Sequence, residues 1–411
     1  MKKILILGGS HSQIPAIKTA KEMGHYVITC DYLENNPGHQ LAHEYHNVST
    51  TDKEAVLSLA KSLKVDGIVC YATDSSAPTA AYVSERLGLP THPYKSIEIL
   101  TNKELFRDFQ RKHNFHVPKA KGYETIEDAY SDFNNFKMPV MIKPVDSSGS
   151  RGVAKINRIE ELKGKAENAL RFSNVRRFII EEYIENSGYH VGGDGFSIDG
   201  RLIFRAFCNE HFPSNESSNP FVPIGSSWPC TMSESIQTKI HDEVQRILRL
   251  LNMKTGSYNF DIRVDDKENI YIIEIGPRNG GDLLPEAINY ATGINLIEYT
   301  IKASLGEDCN DLLMAPTEGY WSSYILNSQK DGVFKEVEIK KELQELNIVE
   351  EELLINVGES ITALSGANDK IGTIILKFAS MDEMLEKMEN MEDWVNIIID
   401  ESYSPNGLGV K

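Results

Sequence analysis

The regular exchange of short apolar runs for amphipathic stretches over residues 3–71 constrains this sequence most. Lys3–Leu7 reads as a buried strand, Gly8-Gly9-Ser10 as a turn, and Ile14–Met23 has helical spacing with Ile14, Ile17 and Ala20 on one side. Tyr26–Cys30 is a second strand, closed by Asp31. Thr51-Asp52-Lys53-Glu54 has the spacing of a capping box, which would open a helix over Glu54–Leu63 before the strand Gly67–Tyr71. Repeated β-α-β units imply a parallel sheet with helices on both faces. This α/β domain is placed at residues 1–95. A glycine turn after the first strand and an acid ending the second invite a dinucleotide-binding reading. However, Gly8 and Gly9 are adjacent, and Ser12 and Gln13 stand where later glycines would be needed. A tight strand-to-helix turn accounts better for the two glycines.

Beyond residue 100 the texture changes. Helix-like Lys103–Asn114 is followed by a strand (Met138–Lys143), a glycine-serine loop (Ser147–Gly152), a strand (Arg177–Ile184) and a β-rich stretch to Glu274, interrupted by a helix near Ser233–Leu251. Further on, Tyr320–Leu326, Leu353–Ile355 and Gly372–Phe378 read as strands, Met381–Met391 as a charged helix and Val395–Ile399 as a last strand. These form a small α+β domain packed on the central one. No fixed-period repeat or heptad run occurs, so solenoids and coiled coils drop out.

With 411 residues, the chain has room for about two to four domains. Its net charge of −17 argues against coating nucleic acid or anionic membranes. Much of that charge is C-terminal, where Lys335–Lys411 holds seven lysines, no arginine and seventeen acids. A local cluster of lysines and arginines elsewhere can still meet a small anion. The five cysteines show no metal or CxxC spacing, as expected for reduced thiols in the cytoplasm. The apolar start of MKKILILGGS is short and stops at glycines, which fits a strand better than a signal peptide. No segment approaches the roughly 20 apolar residues of a membrane helix.

Three segments carry chemistry. Lys143 ends an apolar strand, and the loop Ser147-Ser148-Gly149-Ser150-Arg151-Gly152 follows. A lysine beside such a loop can hold polyphosphate between its ammonium and backbone N–H groups, although GxxxxGK[ST] is absent. The same segment also reads as a hairpin loop with a solvated lysine. Ile179-Ile180-Glu181-Glu182-Tyr183-Ile184 can present backbone groups to an adenine edge, or serve as an amphipathic edge segment. Asn259-Phe260-Asp261-Ile262-Arg263 and Tyr271–Asp282 put Asp261 and Glu274 on adjacent strands, where both carboxylates can face one Mg²⁺. Arg278 would sit beside them, suited to a phosphoryl group or a carboxylate.

In this order, these elements resemble the ATP-grasp superfamily, in particular its carboxylate–amine (or thiol) ligases and its carbamoyl-phosphate-synthetase-like and biotin-carboxylase-like members. The resemblance implies an ATP-grasp fold with a Rossmann-like pre-ATP-grasp domain (1–95), an ATP-grasp domain (96–314, with a lid at about 118–185) and a C-terminal α+β domain (315–411). It implies that Lys103 and Lys143 contact phosphate, and that Ser148, Gly149, Ser150 and Gly152 belong to a loop closing over it. By the same resemblance Glu181, Glu182 and Ile184 form the adenine hinge and His190 lies near the ribose. Asp261 and Glu274 match the metal carboxylates, for Mg²⁺ or else Mn²⁺, and Arg278 matches the arginine at the reacting group. The usual Glu-x-Asn-x-Arg is Glu274-Ile275-Gly276-Pro277-Arg278 here, and Asn279 is the candidate to replace the missing ligand.

The implied reaction activates a carboxylate with ATP as an acyl phosphate and couples it to an amine, releasing ADP and phosphate. Lys143 and Arg278 would be catalytic. The expected partners are small-molecule acids and amines, with a homodimer as the assembly common in the family. For the substrates, Arg205, His211 and Asp282 are candidates, along with the segment Asn209–Ile224, each also readable as solvated surface. Two alternatives stand beside this one: a bicarbonate-activating carboxylase or carbamoyl-phosphate-synthetase-like component, and, more remotely, an NAD(P)-dependent oxidoreductase or nucleotide-sensing module.

Overall fold

The computed structural model describes residues 1–213 and 219–401. The N-terminal strands form a four-stranded parallel sheet in the order Glu44–Asn47, Tyr26–Asp31, Lys3–Leu7, Gly67–Cys70. Ile4 to Leu7 are wholly buried, as a parallel strand covered by helices on both faces should be. The edge strand Glu44–Asn47 has no apolar run that would announce it, because its residues are only half buried or exposed. The capping box does not form around Thr51. Asp52 caps the helix Lys53–Leu63 instead, its carboxylate accepting from the Ala55 N–H. At the glycine turn Gly8 has φ +109°, and a Cβ there would lie 2.9 Å from the Gln13 side-chain oxygen. Gln13 in turn donates to the Tyr71 carbonyl at 2.9 Å, and His39 packs under Gly9. Side chains of the chain itself fill the space under the turn.

The helices Tyr94–Thr101 and Lys103–Lys112 lead out of this domain. Asn102 caps the second, accepting from the backbone of Glu104 and Leu105, which puts Lys103 at its first position. An antiparallel four-stranded sheet follows, in the order Ala120–Tyr123, Phe178–Glu182, Val140–Pro144, Ala154–Ile156. It has a core of its own, with Phe133, Ile142, Leu162 and Phe178 at its centre.

The largest sheet has eight antiparallel strands, ordered Ile270–Gly276, Gly256–Val264, His190–Ile198, Arg201–His211, Gly225–Trp228, Tyr320–Asn327, Lys370–Phe378, Ile348–Leu353. The helix Glu234–Leu250 buries Ile240, Val244, Ile247 and Leu248 among residues that include Phe207, Tyr258 and Ile262. The helices Leu284–Thr292 and Leu296–Ser304 pack into a separate core with Phe196, Phe204 and Trp228. Strands on both sides of residue 315 share this one sheet. The strand expected at Leu353–Ile355 lies earlier, at Ile348–Leu353, an edge strand whose alternating exposure runs through three consecutive glutamates. A three-stranded sheet (Ser360–Ile361, Gly332–Ile339, Val395–Asp400) and the helix Met381–Glu389 complete the C-terminal part. All five cysteines are free. Among the described residues no helix is long and apolar enough to cross a membrane.

Candidate active site

The carboxyl ends of the parallel strands, the four-stranded sheet and the large sheet enclose a cavity of about 730 Å³. Lys103, Lys143, Ser148, Gly149, Ser150, His190, Asp261, Glu274, Arg278 and Asp282 all line it. Residues scattered over nearly two hundred positions of sequence therefore meet in one place.

Asp261 and Glu274 are direct cross-strand partners. Burial raises the proton affinity of Asp261, with Glu274 adding to the rise and Arg263 and Lys143 opposing it. A third acid, Glu210, joins them: it lies over Gly192, where a Cβ would come within 2.6 Å of its carboxylate, and Gly192 pairs with Asp261. Burial and Asp261 together push Glu210 well above the usual carboxylate range. Such a cluster of negative charge suits a divalent cation bound through one or two carboxylates and substrate phosphates.

Lys103 donates to the Ser147 carbonyl at 2.7 Å and lies 3.2 Å from Glu274, so it joins the loop to the acidic strand. Lys143 is buried and 2.7 Å from Glu181 Oε2. The other oxygen of Glu181 is 2.8 Å from Arg107 Nε, an off-line ionic contact rather than a hydrogen bond. Burial lowers the proton affinity of Lys143, and Glu181 opposes that. Burial would raise Glu181, yet Arg107 and Lys143 together hold it down to about 2.

The loop is drawn over the cavity by backbone contacts. Gly149 and Ser150 have φ +64° and +56°; the Gly149 carbonyl accepts from Ala367 N at 3.1 Å, and Ser150 Oγ donates to the Phe221 carbonyl at 2.6 Å. Gly152 faces away, packed against Phe172 and Pro144.

Arg278 is clamped by Asp74, with Nε–Oδ1 2.9 Å and Nη2–Oδ2 2.6 Å, a bidentate pair. Burial opposes the arginine's charge, but Asp74 more than offsets it. This pair explains Gly276: a Cβ there would be 2.8 Å from Asp74 Oδ1 and 3.2 Å from Arg278 Cζ. The space that a side chain would need holds the ion pair. Asp194, wholly buried, receives the Asn259 amide at 2.9 Å and the Gly280 N–H at 2.9 Å, fixing the turn that carries Arg278 and Asp282. Asp282 pairs with Lys370, which comes from the C-terminal strand.

Other candidates lie elsewhere. Asn279 is buried behind the wall, its side-chain oxygen accepting from Thr300 at 2.7 Å. Glu182 receives the Lys137 N–H at 2.8 Å, and the Ile184 carbonyl accepts from Arg263 at 2.9 Å; neither residue lines the cavity. Arg205 reaches Gln237 and Glu234 beside the helix, stacked on Phe207. His211 bonds Ser227 at 2.9 Å and lines a second cavity of about 740 Å³ with Tyr189 and Met388. Burial keeps it neutral, lowered to about 4. His190 lies between the two cavities, lowered to about 3 by burial and Arg263. Residues 214–218 of the segment Asn209–Ile224 lie outside the described residues.

The sequence reading missed Asp74, Arg107, Glu210 and Lys370. Two had a local signal: Asp74 follows the strand Gly67–Cys70, and Arg107 lies one helical turn after Lys103.

A family model for the ATP-grasp domain matches residues 136–286, the span that holds the loop, Lys143, Asp261, Glu274 and Arg278. That span is an ATP-grasp domain. Its sequence is 26% identical over 358 residues to the carbamoyl phosphate synthase large chain of Thermoanaerobacter pseudethanolicus, covering 82% of this chain and 32% of that one. The chain thus spans about a third of the length of that larger protein. It is 28% identical over 292 residues to the formate-dependent phosphoribosylglycinamide formyltransferase of Prochlorococcus marinus, covering 67% of this chain and 70% of the relative. The L-amino acid ligase of Bacillus licheniformis shares the fold, with a TM-score of 0.81 at 20% identity over 98% of this chain and 99% of that one.

Proposed function

We propose that the protein is an ATP-dependent ligase that activates a carboxylate as an acyl phosphate and couples it to an amine, releasing ADP and phosphate. One observation carries the reading. Lys103, Lys143 and Arg278 converge with the paired Asp261 and Glu274 on one cavity of about 730 Å³, beneath the glycine-serine loop. The family's relatives named above support it.

Phosphoryl transfer asks for positioning and charge neutralisation more than covalent help from the protein. Lys103 and Lys143 neutralise ATP phosphate oxygens, and Arg278, preset by Asp74, takes the oxygens of the group in transfer. Asp261 and Glu274 would hold a Mg²⁺, or Mn²⁺ in its place, which would supply further charge neutralisation at the phosphates. A substrate carboxylate oxygen attacks the γ-phosphorus and the bond to ADP breaks. The amine nitrogen then attacks the carbonyl carbon; the C–O bond breaks, phosphate leaves with the electron pair, and the nitrogen gives up a proton. The loop over residues 147–151, tied to Ala367 and Phe221, excludes the water that would hydrolyse the acyl phosphate.

The test is a panel of carboxylic acids with Mg·ATP and hydroxylamine, which traps acyl phosphates as hydroxamates. Hydroxamate and ADP appearing together, with one acid or a narrow set, is the expected result. ADP that depends on bicarbonate alone would favour a carboxylase-type reaction. Tight NAD(P) binding without ATP turnover would overturn the proposal.

A further inference from the structure

Beside the cavity lies a recess of about 10 Å³, lined by His11, Tyr71, Asp282, Glu286, Glu352 and Lys370, among others. His11, Ser12, Gly281, Asp282, Leu354 and Lys370 line both spaces, so the recess adjoins the proposed active site. Its size is that of one water molecule, or of one ammonium group.

Its acids outnumber its ion-paired cations. Lys370 is engaged by Asp282. Glu286 and Glu352 have no cation within salt-bridge distance among the described residues, and Glu286 Oε2 is buried without a hydrogen-bond partner. A buried acceptor left unpaired is costly, and a charged one more so, unless a ligand completes it. An ammonium group offers three donors and the opposite charge. A divalent ion fits less well, because it asks for more oxygen ligands than the recess leaves free once Asp282 is taken by Lys370.

We propose that this recess is the subsite for the primary ammonium group of an amine-bearing substrate, held by Glu286 and Glu352. The proposal deepens the ligase reading and rests on it for the identity of the reaction. It makes one of the two substrates an amino compound and gives the side of the cavity at which its nitrogen sits. Burial, with Glu350, Glu352 and Asp194 nearby, pushes Glu286 up to about 8, the direction expected of a carboxyl group that lacks its counter-ion.

Two measurements on the full chain test it. In the first, thermal unfolding is followed with methylammonium chloride, tetramethylammonium chloride and sodium chloride at equal concentration. A saturable rise in Tm with methylammonium alone, weakened at least ten-fold in apparent affinity by Glu286→Gln or Glu352→Gln, is expected. Equal responses to all three salts, or a Glu286→Gln protein that still responds as wild type, would overturn the proposal. In the second, KM is measured for the amine-bearing substrate and a competitive inhibition constant for its analogue lacking the amino group. Glu286→Gln should raise KM for the former at least ten-fold, leave the latter unchanged and leave KM for ATP unchanged. An unchanged KM for the amino substrate, or a parallel loss for ATP, would overturn the subsite. Failure of the hydroxamate screen would instead strike the ligase reading, since methylammonium binding does not depend on turnover.

Discussion

Replacing Glu181 with glutamine probes the link between the stability of the fold and the readiness of the phosphate site. Glu181 is 2% exposed and bridges Lys143 at 2.7 Å and Arg107 at 2.8 Å, and Arg107 is itself only 1% exposed. Glutamine keeps the volume but leaves two buried cations facing each other, and breaking a buried ion pair this way costs about 3–5 kcal/mol. The titration of Glu181 gives a similar size. Held at about 2 against an ordinary 4.5, the carboxylate contributes about 3 kcal/mol. Because the folded-state value is the lower one, that stability is present above pH 4.5 and is lost as pH falls towards 2. Urea unfolding at neutral pH should therefore show Glu181→Gln about 3 kcal/mol less stable, with a smaller loss between pH 4.5 and 2 than wild type shows. In enzyme that remains folded, Lys143 loses the partner that counters its burial, so KM for ATP should rise by about ten-fold, matching a lost charge-assisted contact. A variant within 1 kcal/mol of wild type would refute the reasoning, because it would mean that Glu181 carries no unshared burden between the two cations.

Gly276→Asn should displace Asp74 or Arg278, since even a Cβ would approach Asp74 Oδ1 to 2.8 Å. Turnover should fall about a hundred-fold, read as kcat, with the loss of a transition-state contact. Asp74→Asn keeps the shape but removes the charge opposite Arg278; the expected outcome is a loss of about ten-fold or more in kcat/KM with KM for ATP little changed. Glu274→Gln should shift the Mg²⁺ dependence of ADP release to concentrations at least about ten-fold higher, and chelation of the metal should abolish turnover in wild type. Lys143→Ala should raise KM for ATP while the recess at Glu286 keeps its response to methylammonium.

The parallel N-terminal sheet was legible because its strands are short apolar runs broken by glycine or an acid, a pattern that buried parallel strands require. The pairing of Asp261 with Glu274 was legible for a similar reason, as each sits within an apolar run bounded by turn residues. The edge strands Glu44–Asn47 and Ile348–Leu353 were hidden or displaced because half-exposed edges carry polar residues in place of an apolar run. Long-range partners left little trace. Asp74 meets Arg278 across 204 positions, and Lys370 meets Asp282 across 88; only the folded chain brings either pair together. Glu181 shows the limit from the other side. Its place on the strand Arg177–Ile184 was readable, while its role as a counter-ion depends on Lys143 from a neighbouring strand and Arg107 from a helix. Gly276 reads as a departure from the family pattern until the Asp74–Arg278 pair is seen in the space a side chain would need.

The most direct test of the central claim follows oxygen from the acid into phosphate. The acid found in the hydroxamate screen is labelled with ¹⁸O in its carboxylate and turned over with Mg·ATP and the amine. Attack of that carboxylate on the γ-phosphorus, then loss of phosphate from the acyl carbon, predicts one ¹⁸O in each phosphate released. Unlabelled phosphate from labelled acid, with label appearing only when the water is ¹⁸O-enriched, would show hydrolysis of ATP without activation of the carboxylate and would contradict the account.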